Sequence, residues 1–218
     1  PRLPQLLLGL SLRGYAFTDH KSDKGKAPAP AHVFCSKPDE TEAACKEALA
    51  LAEGVFFTRD LVNEPANVLT TTEFADRLVA LRDLGVEVEV IEEDRLAELG
   101  MNAMLCVGQG SSAPTKMVVM RWNGGSGDPL ALVGKGVVFD SGGISLKPSV
   151  GMEDMTMDMG GAGVVSGVMK ALAQRKAKAN VVGLVGLVEN MPSGEATRPG
   201  YVVKSMKGDT VEIINTDA

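Results

Sequence analysis

Apolar residues along the chain keep two distinct periods. From Asp39 onward, Ala44, Ala48, Leu51, Val55 and Val62 recur at spacings of three, four or seven, predicting a long helix that Pro65 stops. Thr70-Thr71-Thr72-Glu73 reads as a capping box opening a second helix, with Phe74, Leu78 and Leu81 on one face and Gly85 at its end. Val86, Val88 and Val90 alternate with Glu87 and Glu89, the pattern of a half-exposed strand. A short helix around Leu96 and Leu99 closes at Gly100, and Met117 to Met120 reads as a strand before the turn Asn123 to Pro129.

Leu130 to Val138 and Val181 to Val188 are near-continuous apolar runs, as expected of strands buried on both faces. Val165, Val168, Met169 and Leu172 give a helical period between them. A strand–helix–strand unit implies a crossover and an α/β fold with helices on the faces of a sheet. Tyr201 to Lys204 and Thr210 to Ile214, around Lys207-Gly208-Asp209, predict a hairpin. Residues 1–30 carry the weakest pattern and end in Lys26-Ala27-Pro28-Ala29-Pro30, a stiff linker by composition.

Charge and composition exclude several functions. A net charge of -6 and a pI near 5.1, with Lys and Arg scattered, argue against a nucleic-acid surface. No apolar run reaches the roughly 18–20 residues of a membrane span, and Leu6 to Leu12 lacks a small-residue cleavage site behind it. Cys35, Cys45 and Cys106 form no paired framework, which suits a reducing cytoplasm. The first residue is Pro1 and the last, Ala218, closely follows a predicted strand, so a chain cut from something longer is expected. The only histidines are His20 and His32, so hydrolytic chemistry in the C-terminal half must run on carboxylates, lysines or a metal they hold.

Such groups collect where strands end. Lys135 lies in an apolar strand between Gly134 and Gly136, where the missing side chains let something approach the backbone closely. Asp140 follows at the exit into Ser141-Gly142-Gly143, and Lys147 sits between Leu146 and Pro148. Asp158 stands among Met155, Met157 and Met159, and Asp217 follows the last strand. Each has a structural alternative: Asp158 as a helix cap, Asp140 and Asp217 as turn residues, Lys135 as a snorkelling side chain, Lys147 as a loop charge, the methionines as core filler. Their coincidence favours chemistry. Clustered carboxylates repel and need a cation among them, and oxygen-rich sites without His or Cys favour Mg²⁺, Mn²⁺ or Zn²⁺.

Rival motifs fail. Gly134-Lys135-Gly136 lacks the P-loop spacing, no strand–GxGxxG–helix order exists, and Ser141 has neither a GxSxG elbow nor a downstream histidine.

At these residues the chain resembles the leucyl (cytosol) aminopeptidases. The resemblance rests on Val133-Gly134-Lys135-Gly136, Phe139-Asp140-Ser141-Gly142-Gly143-Ile144-Ser145-Leu146-Lys147-Pro148, Met155-Thr156-Met157-Asp158-Met159-Gly160-Gly161-Ala162 and Asn215-Thr216-Asp217-Ala218. It extends to Arg59-Asp60-Leu61-Val62-Asn63-Glu64-Pro65-Ala66-Asn67 in the long helix. The resemblance implies a mixed, largely buried central sheet with helices on both faces. It divides the chain into an interdomain segment and linker (residues 1–30) and the N-terminal part of a catalytic domain (31–218). It also implies two divalent cations (Zn, Mn or Mg), held by Lys135, Asp140, Asp158 and Asp217, with Asp140 bridging. Lys147 matches the catalytic lysine that polarises the scissile carbonyl, and Met155 a wall of the pocket for the substrate's first side chain. Peptides are the implied substrates, cleaved at an apolar N-terminal residue, and the full-length protein is expected to be a cytoplasmic homohexamer. The family motif continues past Asp217-Ala218 into Glu-Gly-Arg-Leu, whose Glu and Arg this chain does not contain. The fragment alone is therefore expected to be inactive, and a catalytically inert fragment or scaffold of the family is the alternative.

Overall fold

The sheet is organised around the second apolar run. Val181, Val185 and Leu187 on β4 (Asn180–Asn190) are all 5% exposed or less, because this strand has a neighbour on each side. β2 (Lys116–Asn123) pairs with it antiparallel and β3 (Leu130–Asp140) parallel, and β1 (Glu87–Ile91) extends the sheet to the order β1-β2-β4-β3. The computed structural model describes residues 2–26 and 28–218. The predicted crossover is present: α6 (Gly160–Gln174) carries the chain from β3 back to a parallel β4.

β3 corrects one expectation. It is an edge strand of this sheet, with Val133 79% and Leu130 62% exposed, so an unbroken apolar run marked a strand without marking burial on both faces.

α6 lies on one face and buries Ala162, Val165 and Met169 in the main core with Leu61, Phe74, Leu78, Met120 and Leu187. α2 (Pro38–Asn63) packs outside it. The helix itself is as predicted; its buried stripe is not. Cys45, Ala50, Ala52, Gly54 and Leu61 face inward, while Ala44 and Leu51 of the expected stripe are exposed. Closeness decides this. A Cβ on Gly54 would stand 2.5 Å from the Gly167 carbonyl oxygen, so the two helices meet backbone to backbone and select small residues. Thr58 Oγ1 donates to the Gly163 carbonyl across the gap at 2.9 Å.

α3 (Thr71–Val79) starts as read, with Thr70 Oγ1 accepting from Glu73 N at 3.2 Å. Only half of the capping box forms, since the Glu73 carboxylate turns to Arg77 at 2.8 Å. The helix tightens into a 3₁₀ turn (Ala80–Leu84) that Gly85 ends at φ +88°. α4 (Glu93–Glu98) follows the prediction; α1 (Leu3–Gly14) and α5 (Asn102–Gly108) were not predicted. α1 buries no residue fully, so its apolar positions follow no core face. It rests on α2 through Arg59 Nη1 to the Leu12 carbonyl at 3.1 Å and Tyr15 stacked on Phe56. α5 sets Met104 against Gly186 on the opposite face of the sheet, so helices cover both faces. β5 (Val202–Lys204) and β6 (Thr210–Glu212) form the expected hairpin. The proposed linker includes Ala27, which like Pro1 lies outside the described residues. Among the described residues no helix is long and apolar enough to cross a membrane.

Candidate metal centre

The centre is built from the carboxyl end of β3. Its flanking glycines answer to packing: a Cβ on Gly134 would stand 2.7 Å from Ala162 Cα, and one on Gly136 would stand 2.4 Å from the Gly186 carbonyl oxygen. The close approach inferred from sequence is thus that of α6 and β4 themselves.

A bulge then aligns the two polar side chains. Val137 pairs with Val188 and Asp140 with Asn190, so three steps on β3 match two on β4. Positions 135 and 140 would otherwise alternate to opposite faces; the extra residue returns Asp140 to the face of Lys135. Gly142 (φ +88°) and Gly143 (φ +65°) follow in left-handed conformation, which lets the chain turn back under Asp140.

All five predicted polar residues come together. Lys135 Nζ lies 3.0 Å from Asp158 Oδ2 and donates to the Ala218 backbone oxygen at 2.6 Å. Lys147 Nζ is ion-paired with Asp217 and stands 3.6 Å from Asp140 Oδ2. The hydrogen bond to Asp217 pushes the Lys147 pKa up, and the same bond holds the Asp217 carboxyl below its ordinary value. Burial pushes Asp158 up, against the opposing pull of Lys135.

The alternatives resolve individually. Asp140 is a turn residue that also faces the cluster: Oδ1 accepts from Gly142 N at 2.8 Å, while Oδ2 points at Lys147. Asp158 does not cap α6, whose N-cap position is Met159 without a side-chain cap; it lies in a 3₁₀ turn (Met152–Met159) leading into that helix. Met155 is half-buried three residues earlier in the same turn, and residues three apart in a 3₁₀ turn share a face, so it flanks Asp158.

Asn190 and Thr216 were missed. Asn190 Nδ2 donates to Asp140 Oδ1 and to the Thr216 carbonyl, both at 2.8 Å. Thr216 Oγ1 donates to the Gly142 carbonyl and accepts from Ser145 N, each at 2.8 Å. The available signal for Asn190 was its place as a polar residue closing the most apolar strand.

A cation fits this donor set. Asp140 Oδ2 and Asp158 Oδ2 are buried without a directed hydrogen-bond donor; Lys135 is near Asp158 Oδ2 as a charge, without hydrogen-bond geometry. Buried carboxylate oxygens left open are costly unless something positive meets them. Among the described residues no three His, Cys, Asp or Glu groups cluster as an ion site on their own. The acids are interleaved with lysines, Lys135 beside Asp158 and Lys147 between Asp140 and Asp217.

Residues 56–218 match the model of the cytosol aminopeptidase family, catalytic domain. The chain is 68% identical over its whole length to a "Probable cytosol aminopeptidase" of Dinoroseobacter shibae and 62% identical to one of Cereibacter sphaeroides, covering 45% of each. It therefore spans less than half the length of these relatives. A solved structure of the bottromycin maturation enzyme BotP in complex with Mn superposes with a TM-score of 0.87 at 39% identity, over 99% of this chain and 46% of that one. The chain belongs to the cytosol aminopeptidase family.

Proposed function

We infer that this chain is the cation-binding part of an aminopeptidase that releases apolar N-terminal residues from peptides. The observation that carries the reading is the pair of open, buried oxygens, Asp140 Oδ2 and Asp158 Oδ2, each facing a lysine. Two divalent cations (Zn, Mn or Mg) are the expected cofactors, and Mn in the BotP complex supports that choice. Lys135, Asp140, Asp158 and Asp217 would hold them. Bound dications of this kind supply Lewis acidity and a nucleophilic water at neutral pH.

The chain's own residues divide the remaining work. Lys135 can ligate only as the neutral amine, and it faces a single carboxylate, Asp158. Lys147 faces two, and a lysine of ordinary basicity is an ammonium at neutral pH. It is the group that would donate to the scissile carbonyl as negative charge develops, an effect worth about 3 kcal/mol. Met155, beside Asp158, would line the pocket for the substrate's first side chain. The same reading makes the full-length protein a cytoplasmic homohexamer.

Calorimetric titration of the folded chain with Mn²⁺ tests the site. Saturable uptake that Asp140→Asn and Asp158→Asn each remove is the expected result. No uptake would favour the inert-scaffold alternative, and a full-length protein that cleaves phosphoesters but no aminoacyl anilide would refute the assigned substrate class.

A further inference from the structure

Asn190 lies directly across the sheet from Asp140, is 4% exposed, and has both amide hydrogens committed. One holds Asp140 Oδ1 at 2.8 Å; the other holds the Thr216 carbonyl at 2.8 Å, one residue before Asp217. Its own carbonyl accepts from Ser141 N at 3.0 Å and Ser141 Oγ at 2.7 Å. A single residue thus fastens three segments: the end of β4, the turn after β3, and the strip that bears Asp217.

The division of labour on Asp140 follows. Gly142 N and Asn190 Nδ2 both donate to Oδ1, so that oxygen is fully occupied and Oδ2 is left facing Lys147. A carboxylate held by one donor can pivot about its Cβ–Cγ bond. Two donors on one oxygen fix the plane. We propose that Asn190 is a positioning residue of the centre: its amide aims Asp140 Oδ2 into the cation site and keeps Asp217 beside it. This rests on the cation-binding reading above.

The chemistry of the alternatives supports the assignment. An aspartate at position 190 would match the shape of asparagine while offering no donor, and it would set a second carboxylate against Asp140 Oδ1. Gly143 makes room for this side chain, since a Cβ there would lie 2.7 Å from Asn190 Oδ1. The amide, rather than the bulk, is what this position requires.

The test is Mn²⁺ affinity, read by electron paramagnetic resonance on the parent, Asn190→Asp, Asn190→Ala and Asp140→Asn, with circular dichroism of each metal-free protein. Second-layer partners of metal ligands typically tune affinity by about 10–100-fold. Both Asn190 variants should weaken Mn²⁺ binding by that factor while keeping the parent's dichroism. A folded Asn190→Ala that binds within about threefold of the parent, while Asp140→Asn does not bind, overturns the positioning role and leaves the cation site standing. Equal binding by the parent and Asp140→Asn overturns both. If neither Asn190 variant folds, the parent suffices: the Asn190 side-chain amide resonances should shift on titration with Zn²⁺, and unmoved resonances at saturation refute the proposal.

Discussion

Two buried carboxylates in this molecule are treated in opposite ways. Glu64, just past the end of α2, is 4% exposed, and each oxygen has its own cationic or imidazole partner, Arg77 on one and His20 on the other. Burial alone would raise its pKa, but these two hydrogen bonds outweigh it and hold the carboxyl below its ordinary value. Asp140 is fully buried, yet both of its donors crowd onto Oδ1 and Oδ2 has none. Both residues stand in blocks that resemble the same family, so the resemblance does not separate them. The hydrogen-bond count does. A satisfied buried charge belongs to the architecture; one held rigidly in place with an open oxygen is what the proposed cation-binding role requires.

The largest effect expected from this contrast is on turnover. In the full-length protein, Lys147→Ala should lower kcat on an apolar aminoacyl anilide by about 100-fold or more, the usual consequence of removing a charged donor from a reacting oxygen. Mn²⁺ affinity should change only a few-fold, because Lys147 is not assigned as a ligand. Glu64→Ala should leave kcat of the folded protein within about threefold. A comparable loss of kcat in both variants would erase the distinction between the regions.

Stability should respond in the reverse sense. Removing one partner of a buried ion pair commonly costs about 3 kcal/mol, and Glu64→Ala strips Arg77 of one of its two carboxylates. For a chain of this size that lowers Tm by on the order of 10 °C. Asp140→Asn in the metal-free protein should shift Tm by a few degrees at most, since Oδ2 accepts no hydrogen bond and Lys147, which it faces at 3.6 Å, stays paired with Asp217. Thermal denaturation of the two metal-free variants side by side checks this. Equal destabilisation would show that Asp140 is as structural as Glu64.

What could be read from sequence follows the same division. Elements whose signals are local were legible: Thr70 and Gly85 bracket α3 and its 3₁₀ extension by cap chemistry, and Phe74, Leu78 and Leu81 bury as their spacing requires. The five polar residues that gather at the end of β3 could be singled out because lysine and aspartate are anomalous in glycine-rich strand ends. Features set by contact between distant segments were not. The inward stripe of α2 depends on Gly167 meeting Gly54, and the shared face of Lys135 and Asp140 depends on a bulge that only pairing with β4 defines. Asn190 escaped because an asparagine closing a strand looks like any other; its role comes from two acceptors 50 and 26 residues away in the chain.

The smallest predicted effect lies one turn of α2 before Glu64, and it asks whether that region is satisfied throughout. Tyr15 OH donates to Asp60 Oδ1 at 2.9 Å and accepts from Asn63 Nδ2 at 3.1 Å. Burial, reinforced by the neighbouring Asp60 carboxylate and only partly offset by Asn63, pushes its phenol from 10.0 up to about 12. Because the folded value is the higher one, its contribution to stability is complete below pH 10.0 and is lost as pH rises through about 12. Near-ultraviolet absorbance should therefore show one of the two phenols in the chain ionising at about 12, with Asp60→Asn moving that midpoint down. If no phenol of the folded chain ionises above 11, or if Asp60→Asn leaves the midpoint where it was, the Tyr15–Asp60 contact is not formed in solution. The contrast would then rest on Glu64 alone.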